Sequence, residues 1–308
     1  MKKGVFLLLI ISVLFFSACN DGSSDVDNMG EDKLKVYTSF YTLYDFASKI
    51  GGEHAQVVNM IPPGGEPHHW EPTAADIVSL EGADIFIYNG LSLEHWVESV
   101  LEPIENENLI VVEASQDVDV LESSHSHDDH NHSHNNVDPH IWLDPIKSKT
   151  MMKNIRDAFI ELDPLNEGSY ENNYNIYVEE LEKLDSEFHE KLVDLNNRDM
   201  IVSHEAFTYL SEAYGLHQIP IEGLIPDSEP NPSRMAEIID YINDNNIETI
   251  FFEDENDTKV VETISNETGV NFTVLYTLEY LTDRQISNGD DYFSVMRSNL
   301  EALVKGLE

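Results

Sequence analysis

The chain has 308 residues, 41% of them hydrophobic, enough to bury a substantial core and to make two domains of ordinary size. A formal charge of -42, from 17 basic and 59 acidic residues, makes nucleic acid and anionic membrane surfaces poor partners. The single cysteine excludes an intrachain disulfide, so stability has to come from the core.

At the N-terminus, Lys2 and Lys3 precede an apolar run over 5–16, and the small residues Ser17 and Ala18 stand before Cys19. Residues 1–18 read as an export signal, too short for an ordinary membrane span. Small residues ahead of a lone cysteine resemble the bacterial lipobox, in which the signal is cut before Cys19 and its thiol carries a diacylglycerol. Phe16 departs from that pattern, which usually has an aliphatic residue there. Residues 19–33 are rich in Asp, Gly, Ser and Asn and read as a flexible tether.

From residue 34 onward, short β-rich runs alternate with helical patterns. The runs lie at 34–40, 57–61, 85–88 and 109–112, and again at 200–203, 218–221, 249–252 and 272–276. This alternation predicts an α/β fold of two lobes, 34–164 and 198–308, each a mostly parallel sheet flanked by helices. Between them, Tyr170, Tyr174, Tyr177, Leu181, Leu184, Phe188, Leu192 and Leu195 recur at spacings of three and four. That stripe predicts one long helix over 167–195, within a linking segment 165–197. At 1.5 Å per residue it would reach roughly 43 Å and could join the lobes as a stiff rod.

Residues 123–136 form a low-complexity stretch carrying His125, His127, His130, His132 and His134. With no periodic apolar residue it reads as a loop of weak, additional metal ligands.

Three other histidines have more specific surroundings. His68 lies in Pro62-Pro-Gly-Gly-Glu-Pro-His-His-Trp-Glu-Pro-Thr73, after a strand and ahead of a helix that Pro72 can start. His140 lies in Asp138-Pro-His-Ile-Trp-Leu-Asp-Pro145, where Asp144 and Pro145 have the chemistry of a helix cap and first residue. His204 follows the strand at 200–203 and precedes a helical run over 205–214, at a carboxyl end where open α/β sheets bind ligands. His54, His95, His189 and His217 have no such setting and are read as structural. Three histidines on loops at element ends, spread over both lobes, suit a site closed around an ion.

Four ordered segments resemble the zinc- and manganese-binding solute-binding lipoproteins of bacterial ATP-binding-cassette (ABC) metal importers. They are Glu66-Pro-His-His-Trp-Glu-Pro-Thr73, Asp138-Pro-His-Ile-Trp-Leu-Asp-Pro145, Ser203-His-Glu-Ala-Phe-Thr-Tyr-Leu210 and Thr277-Leu-Glu-Tyr-Leu281. The resemblance implies a metal site of His68, His140, His204 and Glu279, lobes bridged by one long helix, and a histidine-rich loop between the first two ligand motifs. His69 would point elsewhere, because adjacent side chains diverge, and Glu66 is expected to accept a hydrogen bond near the site rather than to ligate.

Three imidazoles and one carboxylate suit tetrahedral zinc, whereas manganese favours more oxygen, and the resemblance implies a second carboxylate at His204 in manganese carriers. The expectation is an extracytoplasmic, membrane-anchored monomer that captures Zn2+ and hands it to an ABC permease. Its alternatives are a manganese carrier of the same fold, a surface adhesin or a zinc store. A zinc hydrolase is the least favoured, because Glu279 would fill the position that a catalytic zinc keeps open for water.

Overall fold

The computed structural model describes residues 33–121, 137–225, 231–253 and 259–308. Cys19 and His125, His127, His130, His132 and His134 lie outside the described residues. The first half runs β1 (Leu34–Thr38), α1 (Tyr41–Gly51), β2 (Ala55–Asn59), α2 (Ala74–Glu81), β3 (Ile85–Tyr88), α3 (Val97–Leu101), β4 (Ile110–Glu113) and α4 (Pro145–Leu162). The long helix α5 (Glu167–Leu192) follows. The second half runs β5 (Asp199–Val202), α6 (Thr208–Tyr214), β6 (His217–Pro220), α7 (Pro232–Asn245), β7 (Thr249–Phe252), α8 (Lys259–Thr268), β8 (Asn271–Val274), α9 (Asp283–Asn288) and α10 (Tyr292–Leu307).

Among the described residues all strand pairs are parallel, and the two sheets repeat one order, β2-β1-β3-β4 and β6-β5-β7-β8. Ile85, Phe86 and Ile87 of β3 are fully buried, as a strand covered on both faces requires. In each sheet the chain reverses its direction of travel between the two central strands, β1 and β3 in one, β5 and β7 in the other. A crevice opens at the carboxyl ends of such a pair.

The largest core runs through both halves. It joins Val36, Ile85 and Phe159 of the first to Met200, Phe251 and Leu303 of the second, with Leu181, Leu184 and Phe188 of α5 between. A smaller cluster around Phe86 and Trp96 lies under α2 and α3, and another around Ile238 and Ile264 lies under α7 and α8. Because the two sheets share one core, their relative motion has to work against common packing.

The stripe on α5 is buried as its spacing predicts: Tyr170, Leu181, Leu184, Phe188 and Leu192 are covered, and Tyr174 and Tyr177 pack partly against the core. Most strands sit one to three residues from their expected bounds, and three helix ends differ for identifiable reasons. The helix ends at Leu192 because the Leu195 N–H turns to the Leu192 carbonyl (3.3 Å) instead of continuing the helical ladder, and the Arg198 guanidinium covers the Val193 carbonyl at 2.7 Å. Pro72 stands ahead of α2 rather than in its first turn, since Thr73 forms a capping box with Asp76. α6 starts at Thr208 rather than 205, because the Phe207 N–H is taken by Gln218 Oε1 at 2.6 Å and the Glu205 N–H by the Gly223 carbonyl.

Phe188 is fully buried and stacks on Tyr214 with ring centroids 4.9 Å apart. Phe188→Ala should lower unfolding free energy by about 3–5 kcal/mol, read from urea denaturation at unchanged slope. A loss under about 1 kcal/mol would mean that α5 is not a load shared by both halves.

Candidate metal centre

The four expected ligand residues come together, all buried, with one ligand atom from each lying within 4.8 Å of the others. His68 Nε2 is 3.2 Å from His140 Nε2, which is 3.4 Å from His204 Nε2. Glu279 Oε1 is 3.2 Å from His140 Nε2 and 3.5 Å from His68 Nε2. A tetrahedral ion with bonds of about 2.0–2.1 Å holds its ligand atoms about 3.3–3.4 Å apart. The four measured edges bracket that length. Glu279 Oε1 is buried and makes no well-aligned hydrogen bond, its nearest neighbours being the Nε2 atoms of His140 and His68.

Each residue stands beyond the carboxyl end of a strand, and each loop is held by identifiable contacts. His68 follows β2. Its loop leaves the sheet through Met60 N–H to the Thr38 carbonyl (2.9 Å) and Ile61 N–H to the Ser39 carbonyl (3.2 Å). Trp70 then anchors the loop edge-on against Trp96 at 5.1 Å. Glu66 folds back on the backbone, with Oε1 accepting from the His68 N–H at 2.6 Å and Oε2 from the His69 N–H at 3.0 Å. Its ring partner is His69, at 2.9 Å, whose side chain is 60% exposed, so the two adjacent histidines diverge as expected.

His140 is the most tightly held. Asp138 Oδ1 accepts both its backbone N–H (2.9 Å) and its ring Nδ1–H (2.7 Å), which fixes the ring and turns Nε2 inward. Asn89 at the end of β3 donates to the Pro139 carbonyl (3.0 Å), and Tyr209 of α6 donates to the Asp138 carbonyl (2.7 Å). The following turn runs into α4, where Asp144 accepts from the Ile146 and Lys147 N–H groups and Pro145 takes the first turn, as the sequence predicts.

His204 leaves β5 at the point where the second sheet reverses. Glu253, at the end of the neighbouring β7, accepts from both His204 Nδ1 and the Ser203 hydroxyl. Glu279 follows β8 on a turn in which Leu278 has φ 62, a left-handed conformation that costs a non-glycine residue of order 1–3 kcal/mol. Donors from the other half hold that turn: Trp142 Nε1 to the Thr277 carbonyl (2.6 Å), Thr42 Oγ1 to the Leu278 carbonyl (2.7 Å) and Tyr41 N–H to the Glu279 carbonyl (3.2 Å).

Sequence reasoning did not assign the orienting roles of Asp138 and Glu253. Asp138 was visible as a carboxylate two residues before a histidine. Glu253 carried a weaker signal, an acid ending a strand, and only the pairing of β5 with β7 brings it to His204. Among the described residues, four further histidines are apart from the group: His54 lies edge-on to Tyr170, His95 is near Glu71, His189 near Asp185 and His217 on Asp199.

Electrostatics follow from this packing. Burial works against a charge on His140, but Asp138 and Glu279 outweigh it and push its pKa up to about 10. His204 is raised as well, burial being overcome mainly by Glu253. Burial pushes the Glu279 carboxyl up, yet contact with His140 and His68 holds it well below the usual carboxylate range. The ion-free group therefore keeps a proton on His140 at neutral pH.

A family model described as zinc-uptake complex component A, periplasmic (ZnuA), matches residues 36–306. The chain belongs to this family. The high-affinity zinc uptake system protein ZnuA of Bacillus subtilis strain 168 is 36% identical over 99% of this chain and 97% of its own length. The zinc-binding lipoprotein AdcA of Streptococcus pneumoniae strain R6 is 35% identical over 98% of this chain. This chain spans 60% of that longer relative. The crystal structure of the Zn(II)-bound ZnuA-like domain of the S. pneumoniae AdcA superposes with a TM-score of 0.78 at 34% identity, covering 89% of this chain and 99% of the domain.

Asp138→Asn keeps the shape and removes the charge beside His140. Nuclear magnetic resonance titration of the ion-free protein should show the His140 imidazole falling from about 10 toward the ordinary histidine range. An unchanged titration would mean that Asp138 is not what holds the proton.

Proposed function

We propose that this protein is an extracytoplasmic zinc carrier that captures one Zn2+ ion through His68, His140, His204 and Glu279 and delivers it to an ABC permease. The observation that carries this reading is the convergence of three Nε2 atoms and one Glu279 oxygen, four of whose separations, 3.2, 3.4, 3.2 and 3.5 Å, are close to the edge of a zinc tetrahedron. Zinc is the cargo of this site. Three nitrogens and one oxygen suit zinc, while manganese would ask for more oxygen than one carboxylate supplies. With four protein ligands the coordination shell is closed, so no position is left at which water could be activated.

The two sheets act as two lobes, 34–164 and 198–308, with the segment 165–197 linking them, and the ion enters between them. His68 and His140 come from the first lobe, His204 and Glu279 from the second, so an ion stitches the lobes together. Docking on the permease loosens that stitch. Residues 1–18 direct export, Cys19 carries the lipid, and residues 19–33 tether a monomer to the outer face of the cell membrane. Relatives named as zinc-binding lipoprotein and as a zinc uptake system protein support this placement. His125, His127, His130, His132 and His134 add weaker sites that raise the local ion concentration, helped by the acidic surface.

Titration calorimetry of the mature protein with Zn2+ and Mn2+ tests the division of labour. His140→Ala should abolish the single tight zinc site, whereas deleting residues 125–134 should remove only weaker, additional ions. Equal loss of the tight site in both variants would sink the assignment. The sign of the pH dependence is fixed by His140. Zinc needs the neutral imidazole, and the ion-free protein holds that proton up to about 10, so uptake near pH 7.5 must expel it. Calorimetry in buffers of different ionisation enthalpy should find roughly one proton released per zinc or more, with affinity rising as pH rises. No proton release at pH 7.5 would contradict this.

A further inference from the structure

We propose that a cavity of about 450 Å³ beside the metal centre is a second ligand site, shaped for a small organic ammonium ion. That volume is within the range of sites that enclose small organic molecules. Its floor is one face of α1, where Tyr41, Tyr44 and Asp45 fall three and four residues apart. Its walls are the segment that leads from β2 toward His68, the residues just after Glu279, and the stretch from Ile286 to Asp290.

The chemistry of the lining selects a cation with an apolar body. Tyr41, Tyr44 and Tyr280 line it with aromatic side chains, and Ile61, Leu281 and Ile286 with aliphatic ones. Asp45 and Asp290 supply carboxylates, and no basic side chain is among the lining residues. Aromatic faces beside carboxylates attract an ammonium group by ring quadrupole and by charge. Lys49 bonds to Asp45 (2.7 Å) and Asp291 (2.9 Å) and packs over the Tyr177 and Phe293 rings, so Asp45 already has its cation and Asp290, which accepts from the Ser294 hydroxyl at 3.3 Å, is the lining carboxylate left to meet a ligand.

Asp45 is 8% exposed and gives Oδ1 to Lys49, so it forms the closed, charge-paired base of the floor. The Tyr41 hydroxyl records the same field: burial, then Asp45, Asp291, Tyr44 and Asp290, push its ionisation well above the ordinary tyrosine value.

The experiment uses the zinc-loaded full chain with three probes of one shape and different charge: benzylammonium, benzyl alcohol and benzoate. The proposal expects benzylammonium to bind one to one, about tenfold or more tighter than benzyl alcohol, with benzoate excluded. Asp290→Asn should weaken benzylammonium several-fold, and Ile286→Trp, which fills the cavity from a half-exposed position, should abolish it. Neither variant touches the metal centre, so zinc stoichiometry should stay unchanged and the two readings fail separately. Equal affinity for the alcohol would reduce the cavity to an apolar crevice and overturn the proposal. Binding that survives Ile286→Trp would place the cation elsewhere on the acidic surface and overturn it too, as would no binding at all.

Discussion

Everything in this molecule is arranged around the cost of burying three imidazoles and a carboxylate against one another. An isolated buried charge is expensive, and groups of this kind persist in an interior only when paired and hydrogen-bonded. Here Asp138 answers His140, Glu253 answers His204, and Glu279 lies between His140 and His68. These carboxylates favour a proton on His140, which offsets part of the negative charge they bring to the group, and they hold the rings in place.

The frame that makes this possible is simple. Two parallel sheets of identical strand order place eight carboxyl ends where loops can meet. Each half also reaches across to hold the other's loop. Trp142, Thr42 and Tyr41 fix the turn at Leu278, and Tyr209 fixes the segment before His140. The left-handed Leu278 is affordable because three donors hold the carbonyls of residues 277–279. A core continuous through both halves and along α5 limits the available motion to adjustments of these loops more than to hinge swings.

Much of this was legible in the sequence because it depends on local chemistry. Strand positions followed from β-rich runs bounded by turn residues, and the observed strands fall within a few residues of them. The stripe of α5 was readable because helical period and burial coincide over 26 residues. His68, His140 and His204 stood out through their settings at element ends, and Glu279 through the motif resemblance. The misplaced helix boundaries depend on bonds that helical pattern alone does not register: Asp76 accepts the Thr73 N–H, Gln218 accepts the Phe207 N–H, and at the end of α5 the Leu195 N–H turns to the Leu192 carbonyl.

The sequence by itself determined the class of fold, the long helix and the identity of the imidazoles, since periodicity, propensity and motif order are properties of neighbours along the chain. Only the tertiary structure decided that four atoms from four loops approach to within 4.8 Å, that Glu253 rather than Glu66 orients one of those imidazoles, and that a tyrosine- and acid-lined cavity lies beside them. The reason is physical. Strand pairing and shared packing bring together residues tens to hundreds of positions apart, and the distances they settle at are set by the whole core.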